Sequence, residues 1–190
     1  LSKKQKVAGV ALINIGAEVT SILVYENNIP LLVSTIAVGG NDMTRDIALG
    51  MKITLEEAEE IKCGRSSLPH SKRRLDEILE ARLEDLCVKI TKEFMRIGRQ
   101  ELLPAGIVVC GSSALTPRLE YVFRSELKLP IKIATNEIAK LTHDTLKDSG
   151  WARCYGLTFL APSDTENDAF KELLTSIFTR VKKVLTQFLP

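Results

Sequence analysis

The chain has 190 residues, 45% of them hydrophobic, and its 26 basic and 24 acidic side chains leave a net charge of +2. This composition is that of a globular protein with a buried core, and the balance of charges argues against nucleic acid as a partner. No apolar run reaches the roughly 18 residues of a membrane-spanning helix, no signal peptide opens the chain, and the widely spaced cysteines form no CxxC pair that would indicate a zinc site.

Three runs rich in β-branched residues open the chain. They cover residues 6–15, 18–28 and 29–40, and a glycine-containing turn and an Asn27-Asn28 pair separate them. Short connections of this kind join antiparallel neighbours, so we predict three successive antiparallel strands. Because the chain begins with Leu1 and enters a strand soon afterwards, we expect it to be part of a longer protein.

The turn between the first two strands has two interpretations. The sequence LINIGAEVT, residues 12–20, stops a hydrophobic run at Asn14, passes through Gly16 and Ala17, and resumes after Thr20. Glycine lets backbone N–H groups approach phosphate oxygens, but the same residues suit an ordinary β-hairpin with glycine at positive φ. From these residues alone the hairpin is favoured.

Two helices are predicted next. Asn41 is a suitable N-cap for a helix that carries three apolar residues at helical spacing, namely Met43, Ile47 and Met51. Thr54, followed three residues later by Glu57, has the spacing of a capping box and begins a second helix that runs to Gly64.

A long amphipathic helix and a strand-turn-helix unit follow. Residues 73–98 place a set of apolar side chains on one face: Leu75, Ile78, Leu79, Leu83, Leu86, Ile90, Phe94 and Ile97. Residues 105–113 form a buried strand that ends in a Gly-Ser turn, and residues 115–128 form a helix with Pro117 near its first turn. Strand, glycine turn and helix in this order are typical of an α/β nucleotide site.

The end of the chain differs in character from the rest. After a strand at 130–134 and a small helix at 151–161, residues 162–168 form a polar linker and residues 169–190 a separate amphipathic helix. The residues expected to meet a membrane are Phe170, Leu174, Ile177, Phe178, Val181, Lys182, Lys183, Leu185 and Phe188. Such a helix lies in a membrane interface, where each cation near anionic lipid contributes roughly 1 kcal/mol. The alternative is a helix that docks on its own domain or on a partner.

Several segments resemble one family. GGNDMTRDIALG and EEAEEIK are similar to FtsA, the bacterial cell-division member of the actin and heat-shock-chaperone ATPase superfamily, and the similarity continues through LEARLEDL, AGIVVCGSSALTPRLE and SGWARCYGL. The resemblance implies an α/β fold of the actin-like, ribonuclease H-like type. Residues 1–161 are then the second half of the ATPase domain, with a smaller lobe at about residues 41–100, and the linker and C-terminal amphipathic helix follow.

The resemblance also implies an ATP site. In the superfamily a strand-turn-strand of pattern D-x-G-x-x-x-T holds the phosphates; here Gly16 and Thr20 match, Ala17 lies in the turn, and Asn14 replaces the Asp that orients Mg²⁺. Asparagine keeps an oxygen ligand but loses the charge, so we expect weakened Mg²⁺ binding and at most weak ATPase activity. This chain alone is expected to bind ATP weakly or not at all.

Two further elements of the nucleotide site are implied. In the adenosine loop Gly111 matches the first glycine of the family, Ser112 replaces the second, and Ser113 follows. If residue 112 needs a positive φ, serine costs about 1–2 kcal/mol. On the helix EEAEEIK, Glu59 and Lys62 are implied to face the ribose and adenine; the alternative is an exposed ion pair on a solvated helix.

A basic cluster is implied to bind a protein. Arg73 and Arg74, with Arg82 two turns later, lie where FtsA receives the acidic C-terminal peptide of the tubulin homologue FtsZ, although Ala81 replaces the proline of the family's E-P-R pattern. The alternative is a solvated helix N-terminus that carries basic residues.

The resemblance to FtsA implies a divisome protein that self-associates into filaments and anchors FtsZ filaments to the anionic, cytoplasmic side of the bacterial inner membrane at the septum. Two alternatives stay open. An active ATPase or sugar kinase of the same fold is disfavoured by Asn14 and predicts hydrolysis that depends on that residue. A PilM-like soluble scaffold of pilus assembly shares the GGN…T and EEAE features and predicts that deletion of residues 168–190 leaves localisation unchanged.

Overall fold

A five-stranded mixed sheet organises the computed structural model, which describes residues 1–65, 72–134, 149–151, 154, 156 and 157. The strands are β1 (Val10–Ile15), β2 (Thr20–Glu26), β3 (Ile29–Ile36), β4 (Ile107–Cys110) and β5 (Ile131–Ile133). Their spatial order is β3-β2-β1-β4-β5; β2 is antiparallel to β1 and β3, whereas β4 is parallel to β1 and β5. The three predicted antiparallel strands are confirmed, and β4 brings a distant segment alongside β1.

The helices of the described residues lie before, between and after these strands. They are α1 (Lys3–Ala8), α2 (Gly40–Met51), α3 (Leu55–Lys62), α4 (Lys72–Arg96) and α5 (Leu119–Leu127), and Ser149–Trp151 form a short 3₁₀ turn. The capping box predicted for α3 is present, because the Thr54 hydroxyl accepts from the Glu57 N–H and the Glu57 carboxylate accepts from the Thr54 N–H. This α/β architecture agrees with the predicted fold class.

Several predicted boundaries are wrong. The first strand begins at Val10 because α1 occupies residues that the β-branched run assigned to the strand. Helix α2 begins one residue before Asn41: Gly39 is its N-cap, and the Gly39 N–H donates to Asp42 Oδ2 at 2.9 Å. Helix α5 begins at Leu119 instead of residue 115, so Pro117 precedes the helix by two residues.

The main core lies on one face of the sheet. Alternate residues of β1, namely Ala11, Ile13 and Ile15, join the buried faces of α2 to α5 in one continuous apolar cluster. Helix α4 contributes most of its predicted face, with Ile78 and Ile97 only partly buried and Cys87 added to the set. Burial raises the pKa of the Cys87 thiol to about 12, so this side chain behaves as an apolar residue. A smaller cluster around Val10 and Val108 lies on the other face.

The chain divides into two compact units, residues 1–152 and residues 153–190. Only Cys154, Gly156 and Leu157 of the second unit are described, and all three are exposed. The predicted linker at 162–168, the amphipathic helix at 169–190 and most of the small helix at 151–161 lie outside the described residues. The predicted division of residues 1–161 into two lobes stays a prediction. Among the described helices, none combines the length and the hydropathy of a membrane-spanning segment.

Candidate functional site

A cleft of about 320 Å³ lies where the turn between β1 and β2, the start of α2, the end of α3 and the loop after β4 meet. Five of the residues predicted for the nucleotide site line it: Ala17, Glu59, Lys62, Ser112 and Ser113. The other lining residues are Gly40, Asn41, Cys63, Gly64, Leu115, Thr116 and Pro117. Three of the segments predicted for the nucleotide site, which are distant in sequence, therefore contribute to one concave surface.

The turn between β1 and β2 is tied to α2. The Gly16 N–H donates to the Val19 carbonyl at 2.9 Å and closes the turn, while the carbonyls of Gly16 and Ala17 accept from the N–H groups of Gly40 at 2.9 Å and Asn41 at 2.7 Å. The first N–H groups of α2 are thus used by the turn and do not face the cleft as an open anion site. Gly16 does not adopt a positive φ. The interpretation as an ordinary hairpin that needs glycine for a positive φ therefore does not apply to this residue.

Three predicted residues of the turn lie outside the cleft lining: Asn14, Gly16 and Thr20. The Thr20 side chain is fully buried, and its hydroxyl donates to the Val38 carbonyl at 2.8 Å. This hydrogen bond joins the start of β2 to the segment that leads into α2. Asn14 is half-buried, and its Oδ1 lies 3.8 Å from Cys110 Sγ. In this arrangement the Thr20 hydroxyl stabilises the turn through the Val38 carbonyl and does not face the cleft.

The loop after β4 packs directly on the turn. Gly111 has a φ of +105°, and a Cβ at this position would meet the Ile15 carbonyl and lie 2.6 Å from Asn14 Oδ1. The Ser113 N–H donates to the Ile15 carbonyl at 3.1 Å, and its hydroxyl donates to the Gly16 carbonyl at 3.3 Å. Ser112 is exposed and is not among the described residues with positive φ, so the strain considered for serine at this position does not arise.

Glu59 and Lys62 form a hydrogen-bonded pair at one wall of the cleft. Lys62 Nζ lies 2.6 Å from Glu59 Oε2, and the Lys62 side chain is only 7% exposed whereas that of Glu59 is 46% exposed. Lys62 Nζ also donates to the Gly40 carbonyl at 3.1 Å and to Thr44 Oγ1 at 2.8 Å. All three ammonium protons therefore have acceptors within the protein. Lys62 is therefore not part of an exposed ion pair on a solvated helix, which was the alternative prediction.

Glu59 is held in its ionised form. Partial burial raises its pKa, but hydrogen bonds from Lys62 and Thr44 and the charge of Lys62 together lower it by more, so its pKa lies below the usual value. A carboxylate that is ionised and half-exposed offers the cleft a strong hydrogen-bond acceptor. The site is consequently suited to a ligand with hydroxyl donors near α3.

Comparison with known proteins identifies the family. A family model described as "Cell division protein FtsA" matches residues 11–156. The chain belongs to the FtsA family. "Cell division protein FtsA" of Bacillus subtilis (strain 168) is 29% identical over 157 residues, which are 71% of this chain and 36% of that protein. The chain thus spans little more than a third of the length of this FtsA relative.

Solved structures agree with the actin-like fold of an FtsA-family chain. The "PilM-PilN type IV pilus biogenesis complex" aligns with a TM-score of 0.59 at 21% identity, over 72% of this chain and 38% of that one. MreB5 of Spiroplasma citri, in a crystal structure bound to ADP, aligns with a TM-score of 0.55 at 20% identity, over 85% of this chain and 58% of that one. At such identities the similarity establishes the fold alone.

The basic cluster of this FtsA-family chain is partly engaged in internal ion pairs. Arg82 Nε and Nη2 contact both carboxylate oxygens of Asp46 at 2.5 and 2.9 Å, and Nη1 lies 3.3 Å from Asp85. The hydrogen bond to Asp46 raises the Arg82 pKa despite partial burial. Arg73 and Arg74 are exposed on the first turn of α4, and both contact Glu77. Arg82 therefore joins α4 to α2, while the two arginines nearer the helix start face solvent.

The FtsA-family cleft does not form a magnesium site by itself. In the described part of the chain, no group of three His, Cys, Asp or Glu side chains is placed to hold a metal ion. Asn14 supplies a neutral amide oxygen, and Glu59, the one carboxylate among the described lining residues, is engaged by Lys62. Mg²⁺ in nucleotide sites usually needs a carboxylate in addition to the phosphates. The residues present do not fit a resident Mg²⁺, and we derive no chemistry from one.

Two glycines at the junction of the cleft walls were missed by sequence reasoning. A Cβ on Gly39 would lie 2.5 Å from the Ala17 carbonyl oxygen, and one on Gly40 would meet Ser113 and lie 3.3 Å from Lys62 Nζ. The Gly-Gly pair is therefore required by close approach at the point where turn, loop and α3 converge. The pair itself was visible in the sequence, but nothing local identified its neighbours.

Proposed function

We propose that the cleft binds ATP as one half of the nucleotide site of an actin-like cell-division protein. The observation that carries this proposal is the convergence of the turn, the loop after β4 and the Glu59–Lys62 pair on one cleft. Membership of the FtsA family supports it. ATP then acts as an assembly ligand more than as a fuel, because Asn14 supplies no charge for Mg²⁺.

The exposed tip of the turn is the proposed phosphate contact. Ala17 and Glu18 are exposed, and in the described part of the chain their backbone N–H groups donate to no protein acceptor. Exposed N–H groups in a tight turn are suited to phosphate oxygens. Glu59, which is anionic, is instead suited to the ribose hydroxyls. In this proposal, hydrogen-bond donors of the turn contact the phosphates, and the Glu59 carboxylate, an acceptor, contacts the ribose.

We further propose that the protein carrying this chain tethers FtsZ filaments to the cytoplasmic face of the inner membrane at the division site and assembles into filaments. Family membership and the amphipathic pattern of residues 169–190 support the tether. The exposed Arg73 and Arg74 are the first candidates for the acidic FtsZ peptide, since Arg82 must leave Asp46 before it can bind another carboxylate.

Liposome co-sedimentation tests the membrane tether. The chain with and without residues 168–190 is mixed with vesicles of anionic or neutral lipid at two salt concentrations. We expect sedimentation that requires the tail and anionic lipid and that weakens with salt. As a matched control, Lys182→Gln and Lys183→Gln together keep the apolar stripe and remove charge, so they should reduce binding without abolishing it.

The same experiment separates the tether from the soluble scaffold. If the intact chain fails to sediment under every condition, the membrane proposal is wrong, and a PilM-like role in which residues 168–190 are dispensable becomes the better account.

A further inference from the structure

Thr44 occupies the centre of the network that holds Glu59. It lies one helical turn after Gly40 on α2, and its side chain is buried. Its hydroxyl oxygen lies 2.8 Å from Lys62 Nζ, 2.5 Å from Glu59 Oε2 and 3.0 Å from the Gly40 carbonyl oxygen. This one side chain therefore links the start of α2 to both Glu59 and Lys62 of α3.

The donors and acceptors of this network can be assigned. Lys62 has three protons and three acceptors: the Gly40 carbonyl, Thr44 Oγ1 and Glu59 Oε2. Thr44 has one proton, and the charged carboxylate oxygen is both the nearer and the stronger acceptor. Glu59 Oε2 consequently receives two hydrogen bonds, one from Lys62 and one from Thr44.

The other carboxylate oxygen of Glu59 has a different environment. In the described part of the chain, Oε1 has one hydrogen-bonding contact, with Cys63 Sγ at 3.4 Å, and a thiol is a weak donor. The Glu59 side chain is half-exposed and lines the cleft. Lys62 lines it too but has no proton left for a ligand.

We propose that Thr44 is a positioning residue: together with Lys62 it fixes Glu59 Oε2 and so presents Oε1 to the vicinal hydroxyls of a nucleotide ribose. This inference rests on the proposed nucleotide function of the cleft and adds a residue that determines how the sugar is recognised. A carboxylate anchored through one oxygen loses little rotational freedom on binding, and it discriminates against ligands that lack a hydroxyl donor.

The first test needs no nucleotide. Thr44→Val removes the hydroxyl and keeps the shape, whereas Thr44→Ser keeps the hydroxyl. The carboxyl carbon of Glu59 is titrated by NMR in each chain; the charged and titratable groups that contact it are Lys62 and Cys63. We expect a higher pKa for Glu59 in Thr44→Val and the wild-type value in Thr44→Ser. An unchanged value in Thr44→Val overturns the proposal, because Thr44 then does not hold Oε2.

The second test uses ATP and 2′,3′-dideoxy-ATP. Thr44→Val should bind ATP about tenfold more weakly than the wild type, with unchanged affinity for the dideoxy nucleotide, and Thr44→Ser should restore ATP binding. Equal losses for both nucleotides overturn the positioning role, as does ATP binding that is insensitive to Thr44→Val. If the wild-type chain binds neither nucleotide, the proposed function and the ribose contact fall together, while the titration of Glu59 still decides whether Thr44 holds the carboxylate.

Discussion

Lys62, at the end of α3, donates a 3.1 Å hydrogen bond to the carbonyl oxygen of Gly40, at the start of α2. Gly40 in turn donates its N–H to Gly16 in the turn between β1 and β2. The cleft is consequently built on backbone groups of α2, to which both the turn and α3 are attached. A change at this junction should alter all three walls of the cleft together.

Replacement of Lys62 by methionine should destabilise the protein. Lys62→Met leaves the Gly40 carbonyl and Thr44 without their charged donor, so we expect the free energy of unfolding to fall by about 1–3 kcal/mol. Lys89→Met is the matched control: Lys89 is 39% exposed and pairs with Asp85 on the same helix, an interaction worth about 0–1 kcal/mol. Urea unfolding of both variants measures the difference, and equal losses would show that the Lys62 network contributes no more than a surface pair.

Gly39 should not tolerate a methyl group. In Gly39→Ala the added carbon lies 2.5 Å from the Ala17 carbonyl oxygen, so turn and helix must separate at a cost of about 1–3 kcal/mol. Gly156→Ala is the control, since no atom of the described residues lies within 4 Å of a Cβ at that position. Thermal unfolding should distinguish the two variants. Similar melting temperatures for both would mean that the contact between Gly39 and the turn is not tight in solution.

Glu59 should make stability depend on acid pH. Burial raises its pKa, but the hydrogen bonds and charge of its partners lower it further, so the folded protein holds the carboxylate ionised to a lower pH than the unfolded chain does. The stabilisation is therefore present above the usual Glu pKa of about 4.5 and is lost as the pH falls through the folded value. In Glu59→Gln, unfolding measured along an acid series should lose less stability than in the wild type. Parallel curves for the two proteins would contradict the assigned hydrogen bonds.

We predict that Asn14 limits the contribution of Mg²⁺ to ATP binding. Asn14→Asp restores a carboxylate beside the turn, and we expect Mg²⁺ to strengthen ATP binding severalfold in this variant and to have little effect in the wild type. Asn41→Asp, which adds the same charge in the cleft lining, controls for charge alone. Calorimetric titration with and without Mg²⁺ makes the comparison. Equal Mg²⁺ dependence in the two variants would remove the special role of position 14.

Local chemistry made part of this structure predictable. Thr54 and Glu57 specify the start of α3 within four residues, and Gly111 follows a buried strand where only glycine adopts the required φ of +105°. Ser2 and Gln5 form an equally local capping box for α1, which the β-branched residues after it obscured. Features of this kind are determined by neighbours in sequence, so the sequence alone carries them.

The remainder depends on contacts between distant segments. The i,i+3 spacing of Glu59 and Lys62 predicts their ion pair, but the burial of Lys62 depends on Gly40 and Thr44, some twenty residues away. The N-cap of α2 is Gly39 and not the predicted Asn41, because the turn supplies acceptors for the N–H groups of the first helical residues. The N-cap propensity of Asn41 carries no information about these acceptors, which lie in the turn between β1 and β2.

An NMR titration of the chain with ATP tests whether the cleft binds a nucleotide. Because the cleft is formed within this chain, we expect weak binding at millimolar ATP, with amide shifts confined to the turn at 16–19, the start of α2, residues 59–64 and residues 111–117. Tripolyphosphate should shift only the turn, and adenosine only the other segments. Shifts at these segments would establish the cleft as a nucleotide site. Unchanged amides there at millimolar ATP, or shifts elsewhere alone, would show that the cleft is not a nucleotide site.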